Sequence, residues 1–191
     1  MLERYTQMAS RVRVPSGFAL AAMYLFFAQP TPARLATGVL VALAGLAVRA
    51  ASAGHVQKNR RLATGGPYAY TRNPLYLGSV VAATGFAIAG GRWWFCLLLA
   101  LFFAAVYFPV MRSEQAHLTV LFGEEYAAYA RAVPLLLPRW TPWRAPHAQP
   151  VRFDVRLYRN NREYEALLAF VVIVLLLWSK MLWWGKMVWM G

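Results

Sequence analysis

Few residues in this chain carry side chains able to do chemistry, and they concentrate in two stretches. In the first, Gln57, Lys58, Arg60, Arg61, Leu62 and Ala63 lead to Gly65-Gly66-Pro67-Tyr68, then to Arg72-Asn73-Pro74-Leu75-Tyr76. The second opens at Arg112-Ser113-Glu114-Gln115-Ala116-His117 and runs on to Glu163. Guanidinium groups bind carboxylates and phosphates, carboxylates bind cations, and tyrosine rings offer a face to a cation. Glu114 stands out because it follows directly on an apolar run. A carboxylate there is expensive unless water or a cation satisfies it. A plainly solvated glutamate is the alternative. His55, His117 and His147 show no metal-ligand spacing, and the single cysteine, Cys96, lies in an apolar run, so no metal is expected. Neither a phosphate-binding loop nor a dinucleotide glycine fingerprint is present.

Each stretch has local signals for the elements that must hold it. Gly65-Gly66-Pro67 predicts a turn. Pro74 suits the first turn of a helix, with Asn73 as its N-cap. Glu114, Leu118, Leu121, Phe122, Tyr126 and Tyr129 fall at offsets 0, 4, 7, 8, 12 and 15, one broad helical face expected to pack on the membrane surface. Prolines at 134, 138, 142, 146 and 150 exclude a helix there. They predict an extended strap along lipid headgroups, held by Trp140 and Trp143.

Composition then sets the solvent. The chain has 191 residues, 60% hydrophobic and only 14% charged, against about 25% charged in soluble domains. Its mean hydropathy is +0.41. That excludes a soluble enzyme, a disordered tail and a disulfide scaffold. The expectation is a single all-α integral-membrane domain, 1–191, with five transmembrane helices near 14–29, 35–52, 74–91, 93–111 and 164–184. The second and last carry Arg49 and Lys180, which would snorkel to headgroups. No cleavable leader is expected, since Glu3 precedes a short polar start.

The net charge of +13 would suggest nucleic acid in a soluble protein. Here it reads as a basic face against anionic lipid, and no nucleic-acid partner is expected. With the N-terminus in the cytoplasm, 15 Lys and Arg fall inside and 4 outside, with Arg49 inside the second span. That is a strong positive-inside signal. All seven acidic residues fall inside as well. The outer loops are a few residues long, so any site must be built from 53–73 and 112–163. Arg and Ala richness points to a bacterial inner membrane, an internal eukaryotic membrane being the alternative.

Taken together, Gly66-Pro67-Tyr68-x-x-x-Arg72-Asn73-Pro74-x-Tyr76-x-Gly78, Glu114 three residues before His117, Phe122-Gly123-Glu124-Glu125-Tyr126-x-x-Tyr129 and Val133-Pro134 resemble the isoprenylcysteine carboxyl methyltransferase family. Its bacterial relatives are included in the resemblance, as are the related phospholipid N-methyltransferases. The likeness covers about residues 50–140. It implies a membrane enzyme that uses S-adenosylmethionine, releases S-adenosylhomocysteine and takes a lipidic or lipid-modified acceptor from the bilayer. It also implies a cytoplasmic cofactor pocket formed by the loop before helix 3 and the segment after helix 4. Gln57, Arg60, Leu62, Ala63, Tyr68, Arg72, Asn73, Pro74, Tyr76 and Glu114 would line that pocket, with Arg112 and Glu114 as the catalytic pair. This chain departs from the family in reading Asn73 for histidine, Val110 for the arginine that faces a substrate carboxylate, and Leu135 for arginine.

The acceptor implied is an isoprenylcysteine-type carboxylate. A phospholipid amino headgroup, a reductase of isoprenoid lipids and a non-catalytic lipid-interacting protein are the competing readings.

Overall fold

The computed structural model describes residues 2–57, 60–144 and 152–189, with side chains from Pro15 to Trp183 within those ranges. Lys58, Pro146, His147 and Pro150 lie outside the described residues. Among the described residues every regular element is helical and no strand occurs. In order these are α1 (Leu2–Phe27), α2 (Pro32–Ala53), α3 (Pro74–Gly90), α4 (Trp94–Phe102), α5 (Phe108–Ala132), α6 (Val155–Asn160) and α7 (Tyr164–Trp189). A π turn, Phe103–Tyr107, joins α4 to α5 in one helical run, Trp94–Ala132, which is kinked at Gly123.

Among the described residues, three helices are long and apolar enough to cross a membrane: Pro32–Ala53, Trp94–Ala132 and Tyr164–Trp183. Pro15–Phe27 and Pro74–Gly90 are apolar but shorter. Five candidate segments were expected, and these two correspond to the first and third of them. The first helix starts at Leu2, twelve residues earlier than the expected span, but Glu3, Arg4, Arg11 and Arg13 occupy that added half. The third is stopped by Gly91, whose φ of +71° suits glycine. The fourth was expected to end at 111 and instead continues to Ala132, through residues such as Glu114, Gln115, Ala116 and Leu118 that favour helix.

The described contacts group the chain into two compact units. Unit 1 comprises residues 1–44, 80–110 and 167–191. Its core is Ala28, Leu35, Ala87, Ala89, Phe95 and Leu177. Small residues bring α2 against α3: a Cβ on Gly38 would lie 2.7 Å from that of Ala89, and one on Gly85 would lie 2.8 Å from that of Ala42. Gly38 and Ala42, like Gly85 and Ala89, are four apart, the small-xxx-small spacing that lets membrane helices touch backbone to backbone. Lys180 finds its partners within the protein. Its Nζ donates to the carbonyls of Leu25 and Phe26, each at 2.7 Å, and so caps the last turn of α1.

Unit 2 comprises residues 45–79 and 111–166. Its core is Leu62, Tyr126, Tyr129 and Val133, with Leu118, Phe122 and Trp143 packed against it. Of the expected face of α5, Leu118, Phe122, Tyr126 and Tyr129 pack on protein while Glu114 and Leu121 are exposed, and the face is not continuous. Gly123, with φ +50° and ψ −124°, kinks α5 between Phe122 and Tyr126, a conformation that L side chains rarely adopt.

The described part of the proline-rich strap is likewise held by protein. Pro134 accepts from the Arg72 amide, Tyr70 from that of Arg139 and Ala69 from that of Trp143, each at 2.9 Å. Trp143 lies 5.4 Å from the Tyr129 ring, whereas Trp140 is fully exposed.

Candidate functional site

Every residue singled out for the pocket lies in unit 2. The site is built around the first two turns of α3. Pro74 is buried at the helix start, where its missing N–H leaves no bond unmade. Asn73 occupies the cap position and its carbonyl accepts from the Leu77 amide at 3.0 Å. Its side-chain amide, however, donates to the Leu135 carbonyl at 2.9 Å. Asn73 thus ties the strap to the loop, together with Thr71, whose hydroxyl reaches the Leu136 carbonyl at 2.9 Å.

One turn into α3, Tyr76 Oη donates to Glu114 Oε1 at 2.9 Å. Two residues 38 apart in sequence, one from each motif, are joined by this bond. Glu114 is exposed on α5, and Arg112, also exposed, lies two residues earlier on the same helix. At 100° per residue that is about 200° round the helix from Glu114.

Tyr68 sits in the 3-10 turn Gly66–Ala69 and is buried. Gly66 has φ +58°, and a Cβ there would overlap the His55 ring, so the turn needs glycine for both backbone and space. Tyr129 Oη donates to the Tyr68 carbonyl at 2.7 Å and fixes the turn against α5. The Tyr68 phenol is held well above the usual tyrosine range, first by burial and then by the carboxylates of Glu114 and Glu163, with Arg49 acting in the opposite sense. It stays a neutral hydroxyl among charged groups.

Arg72 reaches Tyr126 Oη from Nη1 at 3.4 Å, while its buried Nε has no hydrogen-bond partner among the described residues. A buried guanidinium N–H without an acceptor costs free energy. An anionic group would fit it.

The remaining expected residues are less alike. Gln57 is exposed, and its carbonyl accepts from the amides of Arg60 and Arg61, forming a turn. Arg60 is exposed and Ala63 half-buried. Leu62 belongs to the core, only 7% exposed, so its side chain packs against Tyr126 and Tyr129 and serves the interior. Among the described residues, no group of three or more His, Cys, Asp or Glu stands close enough to hold a metal ion.

Sequence reasoning missed two residues. Arg49, expected to snorkel, instead forms a two-pronged ion pair with Glu163: Nη2 to Oε1 at 2.8 Å and Nε to Oε2 at 3.0 Å. Its Nη1 also donates to Ser79 Oγ on α3. Gly78 makes room, since a Cβ there would lie 2.7 Å from Arg49 Cγ and from the Gly45 carbonyl. The available signal was a lone arginine in an otherwise apolar run, which has to find a partner.

Residues 33–125 match the phospholipid methyltransferase family. The chain is 36% identical over 88 residues to the cobalt-zinc-cadmium resistance protein CzcN of Cupriavidus metallidurans, covering 46% of this chain and 40% of that protein. It is 36% identical over 89 residues to the nickel-cobalt-cadmium resistance protein NccN of Alcaligenes xylosoxydans, covering 47% and 41%. To the protein-S-isoprenylcysteine O-methyltransferase of Schizosaccharomyces pombe it is 33% identical over 81 residues, covering 42% and 34%. The resemblance read from the motifs is therefore found, over a segment that spans well under half the length of each relative. No solved structure matches.

Proposed function

We propose, from the match of residues 33–125 to the phospholipid methyltransferase family and from the site geometry, that this chain is an integral-membrane S-adenosylmethionine-dependent methyltransferase acting on a lipidic acceptor. In this reading all five apolar segments cross the membrane and the N-terminus is cytoplasmic. The pocket between the loop before α3 and the segment from Glu114 onward then faces the cytoplasm. The observation that carries the reading is the Tyr76–Glu114 bond, which joins the two motif stretches within unit 2.

The residues present fit the cofactor's chemical groups. Glu114 would hold its amino group or ribose hydroxyls, and Arg72, with an unpartnered buried Nε, its carboxylate. Tyr68 and Tyr76 would offer aromatic faces to the adenine or the sulfonium. When bound, S-adenosylmethionine supplies a methyl group whose S–C bond breaks, leaving the electron pair on sulfur, as the acceptor atom donates a pair to the methyl carbon. The chain's part is alignment and exclusion of water. Holding two reactants in line can supply about 7–11 kcal/mol of the barrier. No metal is required, and Tyr76 keeps the Glu114 carboxylate fixed in place.

The proposed acceptor is an isoprenylcysteine-type carboxylate, in line with the S. pombe relative. A carboxylate needs no general base. The second reading, a phospholipid amine, is favoured by the family match and by Val110, which stands where the prenylcysteine enzymes carry an arginine. An ammonium acceptor would first have to lose a proton.

Transfer of labelled methyl from S-adenosylmethionine to a lipid extract in proteoliposomes tests the proposal. Label released by mild base identifies an ester and label resisting base an N-methyl product. No label in any lipid, with cofactor bound, overturns the lipidic acceptor.

A further inference from the structure

Glu163 lies beyond the segment that matches the family, yet the fold brings it to the same face of α3 as Glu114. Tyr76 holds Glu114, and three residues later Ser79 accepts from Arg49, which grips both oxygens of Glu163. Residues three apart are neighbours on a helix surface. Two carboxylates are thus tethered to adjacent positions of α3, one through a neutral phenol and the other through a guanidinium.

The approach of Glu163 is fixed by the backbone around it. Asn161 Nδ2 donates to the carbonyls of Ala53 at 3.0 Å and Val56 at 3.2 Å, docking the 161–163 turn on the end of α2. Arg162 is the one non-glycine residue with positive φ among the described residues, at +56°. A bulky side chain rarely adopts that conformation, so surrounding contacts must impose it. The side chain of Glu163 is 10% exposed and that of Arg49 25%. An ion pair so far removed from water adds little net stability, because desolvation offsets the attraction.

We propose that Arg49 is a charge-balancing residue, cancelling Glu163 so that a cationic ligand in the site meets one net carboxylate, Glu114, rather than two. The proposal rests on the methyltransferase reading above. Groups that stabilise a charged reactant more than the transition state raise the barrier. A sulfonium loses its charge during transfer, so a second bare carboxylate would hold the reactant too well. Arg49 removes that excess without removing Glu114.

The test compares two ligands that differ by one methyl group and one positive charge: S-adenosylmethionine and S-adenosylhomocysteine. Their affinities are measured by calorimetry on the full chain in lipid nanodiscs. Arg49→Gln should raise the ratio of affinities in favour of the cation, on the order of tenfold. Glu163→Gln, with Arg49 kept, should lower it by a similar factor. The double variant and Arg49→Lys should return to the wild-type ratio.

If Arg49→Gln does not fold, Glu163→Gln and the double variant still decide the matter. Parallel weakening of both ligands with an unchanged ratio would mean a purely structural pair and overturn the proposal. Failure of the wild-type chain to bind either ligand would instead remove the methyltransferase reading, and this proposal with it.

Discussion

At the scale of single residues, the proposed site separates side chains assigned to a ligand from those that hold the fold. Tyr76 is proposed to do the first, through its hydroxyl on Glu114. Tyr76→Phe keeps the ring and removes one hydrogen bond to a charged group, worth about 1.5–3 kcal/mol where such bonds count fully. S-adenosylhomocysteine affinity should fall roughly tenfold or more, with the melting temperature nearly unchanged because Glu114 is exposed. Calorimetry and a thermal melt on one preparation read both, and equal affinity would count against Tyr76. Leu62 should behave in the opposite way. Buried among Tyr126, Tyr129 and Val133, it should cost about 2–5 kcal/mol of stability when changed to alanine, while the protein that remains folded binds normally. A selective loss of binding in Leu62→Ala would restore it to the pocket lining.

Elements make the site by meeting where side chains are small or the backbone is unusual. Gly123 is the clearest case, since its φ of +50° and ψ of −124° turn α5 so that Tyr126 and Tyr129 reach the Leu62 core. Gly123→Ala should lose about 1–3 kcal/mol, from backbone strain alone. Its Cβ would meet nothing within 4 Å, so steric overlap is not the cause. Gly17 is the control: a Cβ there also meets open space, but within ordinary helix. Gly17→Ala should therefore leave stability unchanged or raise it by up to about 1 kcal/mol. Equal effects in denaturant titrations of the two variants would contradict the kink.

These elements also show what the sequence could tell. The helices are written in apolar runs, Gly-Pro turns and the Pro74 start, all local signals, whereas the pairing of the two motifs was implied by the family resemblance. Three features were not legible, two because they depend on partners far along the chain and one because a single glycine's torsions set it. Arg49 and Glu163 are 114 residues apart, so nothing near either reveals the ion pair. Lys180 reads as a snorkelling end until the carbonyls of Leu25 and Phe26 appear beneath it. The face of residues 114–129 obeys helical periodicity, and only the torsions of Gly123 break it.

At the scale of the molecule, the charge distribution carries the proposed orientation. In the proposed five-span arrangement fifteen basic residues fall on one side against four on the other, an asymmetry of the kind that sets topology during insertion. In a Cys96→Ala background, Arg61→Cys should react with a membrane-impermeant thiol reagent only after the cytoplasmic side is opened. Arg92→Cys should react from the outer side. Labelling of both from the same side would refute the proposed arrangement.

The most direct test of the methyltransferase reading is calorimetric titration of S-adenosylhomocysteine into the purified chain and into Glu114→Gln, each in lipid nanodiscs. The account predicts saturable one-to-one binding to the wild type. It also predicts a thermal stabilisation of roughly 2.7 kcal/mol at about a hundred times the dissociation constant, and loss of both in a Glu114→Gln protein that still melts cooperatively. Absence of binding by the wild type, or binding of equal strength by Glu114→Gln, would contradict it.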